Sequence, residues 1–119
     1  MKGQPFYKRM GFALAGIAIV FRREQTFRIQ WAVCLVSILI MVALRPGWTW
    51  AALVMLSIGL VLAAELFNGA IEYLIDRIHP EIHDEIKHAK DAAAGAVLLT
   101  SIAAASVGIA MLISCWPWW

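Results

Sequence analysis

The sequence predicts an all-α membrane protein, with one amphipathic helix on the membrane surface and three helices that cross the membrane. The chain has 119 residues, of which 62% are hydrophobic and 15% are charged, whereas a soluble domain has roughly 25% charged residues. Three apolar segments approach the length of about 20 residues that a spanning helix needs. Residues 1–119 are therefore expected to form a single membrane domain. The formal net charge of +2 is too small to indicate a nucleic-acid partner.

The surface helix is predicted at about residues 5–24. Its apolar part, Met10 to Phe21, is flanked by basic pairs on both sides and is too short to span a bilayer. A short apolar helix with basic flanks is typical of the membrane surface. Two glycines in this helix, Gly11 and Gly16, would allow other elements to pack closely against it.

The spanning helices are predicted at about residues 28–45, 48–76 and 90–116. Arg45-Pro46-Gly47 indicates a tight turn, so the first two spans form an antiparallel hairpin. Basic residues are concentrated before the first span and between the second and the third. The positive-inside rule then places the N-terminus and the second connection in the cytoplasm, and the C-terminus on the far side. The tryptophans expected at the far interface are Trp48, Trp50, Trp116, Trp118 and Trp119.

A stripe of polar side chains interrupts the second span. Their offsets place them on one face of a helix, because 3.6 residues make a turn. An ionised group in hydrocarbon costs roughly 2.5–3.5 kcal/mol on insertion scales, so a stripe of this kind indicates a function. The members of this polar stripe are Glu65, Asn68, Glu72 and Asp76.

Further charged residues are expected at the same depth. Glu24 precedes the first span, while Lys90 and Asp91 open the third. Carboxylate oxygens suit magnesium, which also takes phosphates as ligands, and a lysine binds phosphate as a point charge. A carboxylate that holds no metal can accept a proton. The sequence contains no motif of the soluble kinases. From these residues alone, metal-assisted catalysis and the translocation of ions or protons are both open.

Several motifs resemble those of the small prokaryotic diacylglycerol kinase family, which includes undecaprenol kinases. The resemblance covers nearly the whole chain and is most specific where the polar stripe is joined by a distant Ala-Lys-Asp. The motifs that carry it are Glu24-Gln-Thr-Phe27-Arg28, Glu65-Leu-Phe-Asn68-Gly-Ala-Ile-Glu72, Asp76-Arg77, His79-Pro80-Glu81-Ile-His83 and Ala89-Lys90-Asp91.

The resemblance implies a homotrimer in the bacterial inner membrane that uses magnesium and ATP to phosphorylate a lipid hydroxyl. Glu65 resembles the general base of the family, and Glu24 and Glu72 resemble the ligands of the magnesium that holds the ATP phosphates. Asn68 and Arg28 resemble supporting residues. The residues that the resemblance assigns to ATP or its phosphates are Lys90, Asp91, Asp76, His83 and Gly11.

The sequence departs from the diacylglycerol kinases of this family at three places. Ala92-Ala93-Ala94-Gly95 stands where those enzymes tend to have Met-Gly-Ser, and Gln30 occupies an acidic position. Phe12 and Leu14 replace an aromatic hydroxyl and an indole. The prediction is phosphorylation of diacylglycerol to phosphatidic acid, with phosphorylation of undecaprenol as the alternative. A small proton or cation carrier is a more remote alternative.

Overall fold

A computed structural model of the chain describes residues 2–78, 81 and 83–116. Trp118 and Trp119 of the predicted interface, and His79-Pro80 of the quoted motif, lie outside the described residues. Within the described residues all regular structure is helical, which confirms the predicted all-α class. The helices are α1 (Phe6–Arg23), α2 (Gln25–Leu44), α3 (Trp48–Ile78) and α4 (Asp84–Cys115).

The junction between α1 and α2 is a single extended residue, Glu24. The Arg28 guanidinium of α2 donates hydrogen bonds to the carbonyl oxygens of Phe21 and Arg22, each at 2.9 Å. These carbonyls lie in the last turn of α1, where no helical partner remains for them. Phe27, which is only 2% exposed, packs edge to face against Phe21. Arg28 and Phe27 of α2 therefore fix the end of α1 and the position of Glu24.

A tight turn joins α2 to α3, as the sequence predicts. Arg45 has a left-handed backbone with φ of 50°, and Gly47 has φ of 96°. Positive φ is strained for most residues and is readily adopted by glycine. The turn ends at Trp48, where α3 begins.

Helix α4 begins at Asp84, so the predicted loop up to Lys90 is shorter than expected. The His83 side chain caps this helix, because its Nδ1 accepts a hydrogen bond of 3.3 Å from the backbone N–H of Glu85. Acidic residues in the first turn also favour a helix start, since they offset the positive end of the helix dipole. The polar residues at this start belong to the helix but not to its apolar part. The apolar pattern of the sequence therefore does not include them in the predicted span.

Three helices, α2, α3 and α4, are long and apolar enough to cross a membrane. This fits the predicted multi-pass membrane protein. A small core lies at the end of these helices that is remote from the polar stripe, where Met41, Val54 and Met111 are buried. Most other apolar side chains point outwards, as Leu39 and Leu99 do at 70% exposure each. The outer surface of the bundle is therefore apolar along the three long helices.

Candidate active site

Glu65 of α3 is the only charged side chain that is buried among the described residues, with 4% exposure. The Gln30 side chain of α2 lies close enough to the Glu65 carboxylate for its amide group to interact with it. Glu24 and Glu72 lie close enough to Glu65 for their negative charges to interact with it. The structure thus gathers three of the predicted carboxylates around one buried position, and it adds Gln30 as a partner.

A close approach of α1 to α3 brings Glu24 into this group. A Cβ atom placed on Gly69 would lie 3.0 Å from Cγ1 of Val20 and 3.5 Å from Cγ of Glu24. Glycine at this position therefore makes room for the last turn of α1. Gly69 follows Glu65 by one helical turn, so the Glu24 side chain crosses α3 directly beside the buried carboxylate.

Asn68 contributes an oxygen atom that forms no hydrogen bond with a described residue. Its Oδ1 is buried and has no hydrogen-bond partner in the described part of the chain. A buried acceptor without a donor costs about 1–3 kcal/mol, so this oxygen is suited to a metal ion or to a hydroxyl donor. Its predicted role in orienting the carboxylates stays a prediction.

Lys90 reaches the polar stripe from α4. Its Nζ lies 2.8 Å from Oδ1 of Asp76, and Glu72 is near enough for its charge to attract the ammonium group. Asp91 points elsewhere, since its carboxylate pairs at 2.8 Å with Lys87 on the same helix. The structure therefore brings Lys90 and Asp76 to the carboxylates and places Asp91 in an exposed pair beside them.

The remaining predicted residues have structural positions of different kinds. His83 caps α4, and Arg28 holds the end of α1; the predicted roles of His83 in binding ATP and of Arg28 in supporting the site stay predictions. Gly11 is exposed, and no described atom of another element lies within 4 Å of the Cβ position there. Gly16 is equally open. The described residues of one chain therefore show no close packing at these two glycines, and the contact of α1 with α3 at Gly69 is made by Val20, near the C-terminal end of α1.

A solvent-connected cavity of about 480 Å³ lies beside the carboxylates, at the ends of α1 and α3. The Arg23 guanidinium stands 4.6 Å from the centroid of the Tyr73 ring in its wall. Sequence reasoning left Arg23, Tyr73 and Gln30 out of the site. The basic pair before Glu24 is the signal that points to Arg23. A polar residue inside an apolar span is the signal that points to Gln30. The residues that line this cavity are Arg23, Glu24, Tyr73, Asp76 and Arg77.

The residues present fit magnesium that is shared with a phosphate ligand. No group of three or more acidic, histidine or cysteine side chains within the described residues is arranged to hold a metal ion alone. Magnesium is usually bound by one or two carboxylates together with substrate phosphates and water. Glu24 and Glu72 supply such carboxylates, and the unpaired oxygen of Asn68 lies on the same stripe.

The family model of prokaryotic diacylglycerol kinases matches residues 11–112, from α1 to the last turn of α4. The chain belongs to this family. A diacylglycerol kinase of Synechocystis sp. is 36% identical over 103 residues, which are 86% of this chain but only 59% of that protein. The diacylglycerol kinase of Escherichia coli is 32% identical over 97 residues, covering 82% of this chain and 80% of that one.

One relative is named for a different lipid substrate. The undecaprenol kinase of Bacillus subtilis is 33% identical over 109 residues, which are 91% of this chain and 88% of that protein. The prokaryotic diacylglycerol kinase family thus includes similar proteins named for two lipid alcohols. The resemblance seen in the sequence motifs is confirmed at the level of the family.

Proposed function

We propose that the protein is a lipid kinase that transfers the γ-phosphoryl group of ATP to a lipid hydroxyl. The observation that carries this proposal is the burial of Glu65 beside two further carboxylates, a lysine and a cavity large enough for a nucleotide. Membership of the prokaryotic diacylglycerol kinase family supports the same reaction. Phosphoryl transfer needs mainly positioning and neutralisation of charge, which a small helical site can supply.

The depth of Glu65 along α3 suits a lipid hydroxyl. At a rise of 1.5 Å per residue, Glu65 lies about 26 Å from Trp48 along the helix. The hydrocarbon core of a bilayer is about 30 Å thick. With Trp48 at the far interface, Glu65 then reaches the inner boundary of the hydrocarbon, where the head group of a lipid alcohol begins. The later members of the stripe extend beyond that boundary towards water.

In this mechanism Glu65 accepts the proton of the lipid hydroxyl while the hydroxyl oxygen attacks the γ-phosphorus, and ADP leaves. Gln30 holds the Glu65 carboxylate in place. Glu24 and Glu72 would hold magnesium, which when bound neutralises charge on the ATP phosphates. Lys90 neutralises negative charge that develops during transfer, and Asp76 orients its ammonium group.

We propose diacylglycerol as the acceptor, with phosphatidic acid as the product. The names of most of the similar proteins support this choice. Undecaprenol is the second candidate acceptor, because the Bacillus subtilis enzyme matches 91% of this chain. The sequence departures at Gln30 and at Ala92-Ala93-Ala94-Gly95 point in the same direction.

The arrangement of hydroxyl groups supports a kinase over a proton or cation carrier. A carrier would need polar groups that continue from the site towards the far side of the membrane. The hydroxyls that form hydrogen bonds in the described spans donate to carbonyl oxygens of their own helix, so they offer little to a passing ion. These side chains are Ser37, Ser57, Thr100 and Ser106.

The assembly and orientation belong to the same proposal. We propose a homotrimer in the bacterial inner membrane, with α1 on its cytoplasmic surface, the α3–α4 connection in the cytoplasm and the C-terminus on the far side. The three long helices have an exposed apolar surface, which can pack against the same helices of other subunits as well as against lipid. This surface supports the proposed trimer. The basic residues at both ends of α1 support contact with anionic head groups.

The test uses purified protein, radiolabelled ATP and either diacylglycerol or undecaprenol, followed by separation of the products. We expect label in one lipid product, and Glu65→Gln should lower turnover by about 10²–10⁴-fold, the usual contribution of a general base. Glu85→Gln makes the same change in an exposed glutamate of α4 and should keep full turnover. Full activity of Glu65→Gln would refute the assignment of the base. Ion flux into liposomes without ATP consumption would refute the kinase.

A further inference from the structure

Arg23, the last residue of α1, is held against an aromatic ring of α3. Its guanidinium carbon lies 4.6 Å from the centroid of Tyr73, within the range of about 6 Å over which such a cation is attracted to a ring face. This contact is an attraction between the charge and the ring rather than a hydrogen bond, and the N–H donors of a guanidinium point outwards from its central carbon. The ring therefore fixes where the charge lies without occupying its hydrogen-bonding groups.

The charges around the neighbouring cavity are unevenly paired. Asp76 is bonded to Lys90, whereas neither Arg23 nor Arg77 forms an ion pair with a described carboxylate. Glu24, in the wall of the same cavity, likewise has no cationic partner among the residues described. Two unpaired arginines and one unpaired carboxylate, together with the paired Asp76, thus face a space of about 480 Å³. This pattern complements a polyphosphate that carries a divalent cation.

We infer that Arg23 binds phosphate oxygens of the nucleotide and that Tyr73 is the positioning residue that holds Arg23 in place. Arginine suits this task because its planar guanidinium can donate two parallel hydrogen bonds to a phosphate group. Neither residue belongs to the motifs by which the family was identified. The inference rests on the proposed function, since it assumes that ATP enters this cavity.

A direct contact between Tyr73 and the adenine ring is the competing explanation. Aromatic rings stack on bases as well as on guanidinium groups. The two explanations differ in what happens when Arg23 is already absent. If Tyr73 acts through Arg23, its removal then has no further effect, whereas a ring that contacts adenine would still matter.

The experiment measures the Kd of radiolabelled ATP by equilibrium dialysis of the full protein in lipid–detergent micelles, together with KM and kcat. Arg23→Gln should weaken ATP binding about tenfold, a usual loss for one charge-assisted contact, and should raise KM for ATP more than it lowers kcat. Arg23→Lys should recover part of the affinity. The matched control is Arg22→Gln, which removes the same charge from a residue outside this cavity and should change Kd by less than about twofold.

Variants of Tyr73 complete the test. Tyr73→Phe keeps the ring and should bind ATP normally, whereas Tyr73→Leu should weaken binding severalfold in the native background and not at all in the Arg23→Gln background. Competition between adenosine and ATP gives the dissociation constant of adenosine for each variant, once the Kd of ATP for that variant is taken into account. This constant should be the same in every variant. An effect of Arg23→Gln no larger than that of Arg22→Gln would overturn the phosphate contact. An additive effect of Tyr73→Leu with weaker adenosine binding would overturn its positioning role.

These outcomes are separable from failure of the proposed function. Absence of label in both lipid products would remove the kinase reaction, but the Kd measurements need no lipid acceptor. Normal ATP binding in Arg23→Gln alongside active transfer would remove the inference alone.

Discussion

Replacing Gly69 with alanine is expected to displace α1 from α3 and to reduce turnover. The added Cβ would lie 3.0 Å from Cγ1 of Val20, whereas carbon atoms pack best at about 3.5–4.0 Å. Val20 must therefore retreat by about 0.5–1 Å to reach that separation. Because Glu24 follows Val20 by one turn of the same helix, its carboxylate is carried away from Glu65 with the end of α1.

The size of the effect follows from this displacement. A misplacement of about 1 Å in a catalytic group can cost about 10²-fold in rate, so we expect Gly69→Ala to lower kcat about tenfold. Overpacking typically costs about 1–3 kcal/mol, while exchanging glycine for alanine inside a helix gains up to about 1 kcal/mol. The variant should therefore be slightly less stable than the native protein and much less active.

The assay combines transfer of radiolabelled phosphate to lipid with thermal unfolding in the same micelles. Gly59→Ala is the matched control, because it makes the same change in α3 at a position where no described atom beyond the adjacent backbone of the helix lies within 4 Å of the new Cβ. The control should keep its activity and unfold at an equal or higher temperature. If Gly69→Ala and Gly59→Ala are equally active, the contact between α1 and α3 does not position Glu24.

Three further substitutions test the ion pairs and the α1–α2 junction. Lys90→Gln should lower kcat at least tenfold, because it removes both the partner of Asp76 and the charge proposed to neutralise the transferred group. Steady-state kinetics at saturating ATP measure this kcat. Lys87→Gln breaks the exposed pair with Asp91 and should leave kcat and the unfolding temperature unchanged; a loss equal to that of Lys90→Gln would contradict the distinction between the two lysines. Arg28→Gln leaves two carbonyl oxygens of α1 without their donor, so we expect a loss of about 1 kcal/mol in stability and faster proteolysis at the end of α1. Unchanged proteolysis would argue that these hydrogen bonds do not hold the end of α1.

The long helices and the polar stripe can be predicted from the sequence because both depend on local periodicity. Apolar length sets the spans, and offsets of three or four residues place Glu65, Asn68 and Glu72 on one face whatever surrounds them. The start of α4 is less accessible to this reasoning. His83 and the acids after it form a cap and a first turn, but the same polar residues also fit a loop.

The partners of the site are not predictable in the same way. Arg23, Gln30 and Tyr73 come from α1, α2 and α3, and periodicity does not say which face of one helix meets which face of another. The decisive contact is at Gly69, which looks like any small residue of a membrane helix until Val20 is seen against it. Arg23 resembles an ordinary flanking charge of a surface helix for the same reason.

The distance along α3 between Trp48 and Glu65 makes bilayer thickness a functional variable. A rigid helix anchored at one interface presents its carboxylate at a fixed height, about 26 Å away, while the opposite head groups move with the length of the lipid tails. In a much thicker bilayer the Glu65 carboxylate would sit beneath the head groups that carry the proposed acceptor hydroxyl, and in a much thinner one it would stand above them, unless the helices tilt. We therefore expect turnover to depend on the tail length of the host lipid, without that lipid binding to any particular pocket.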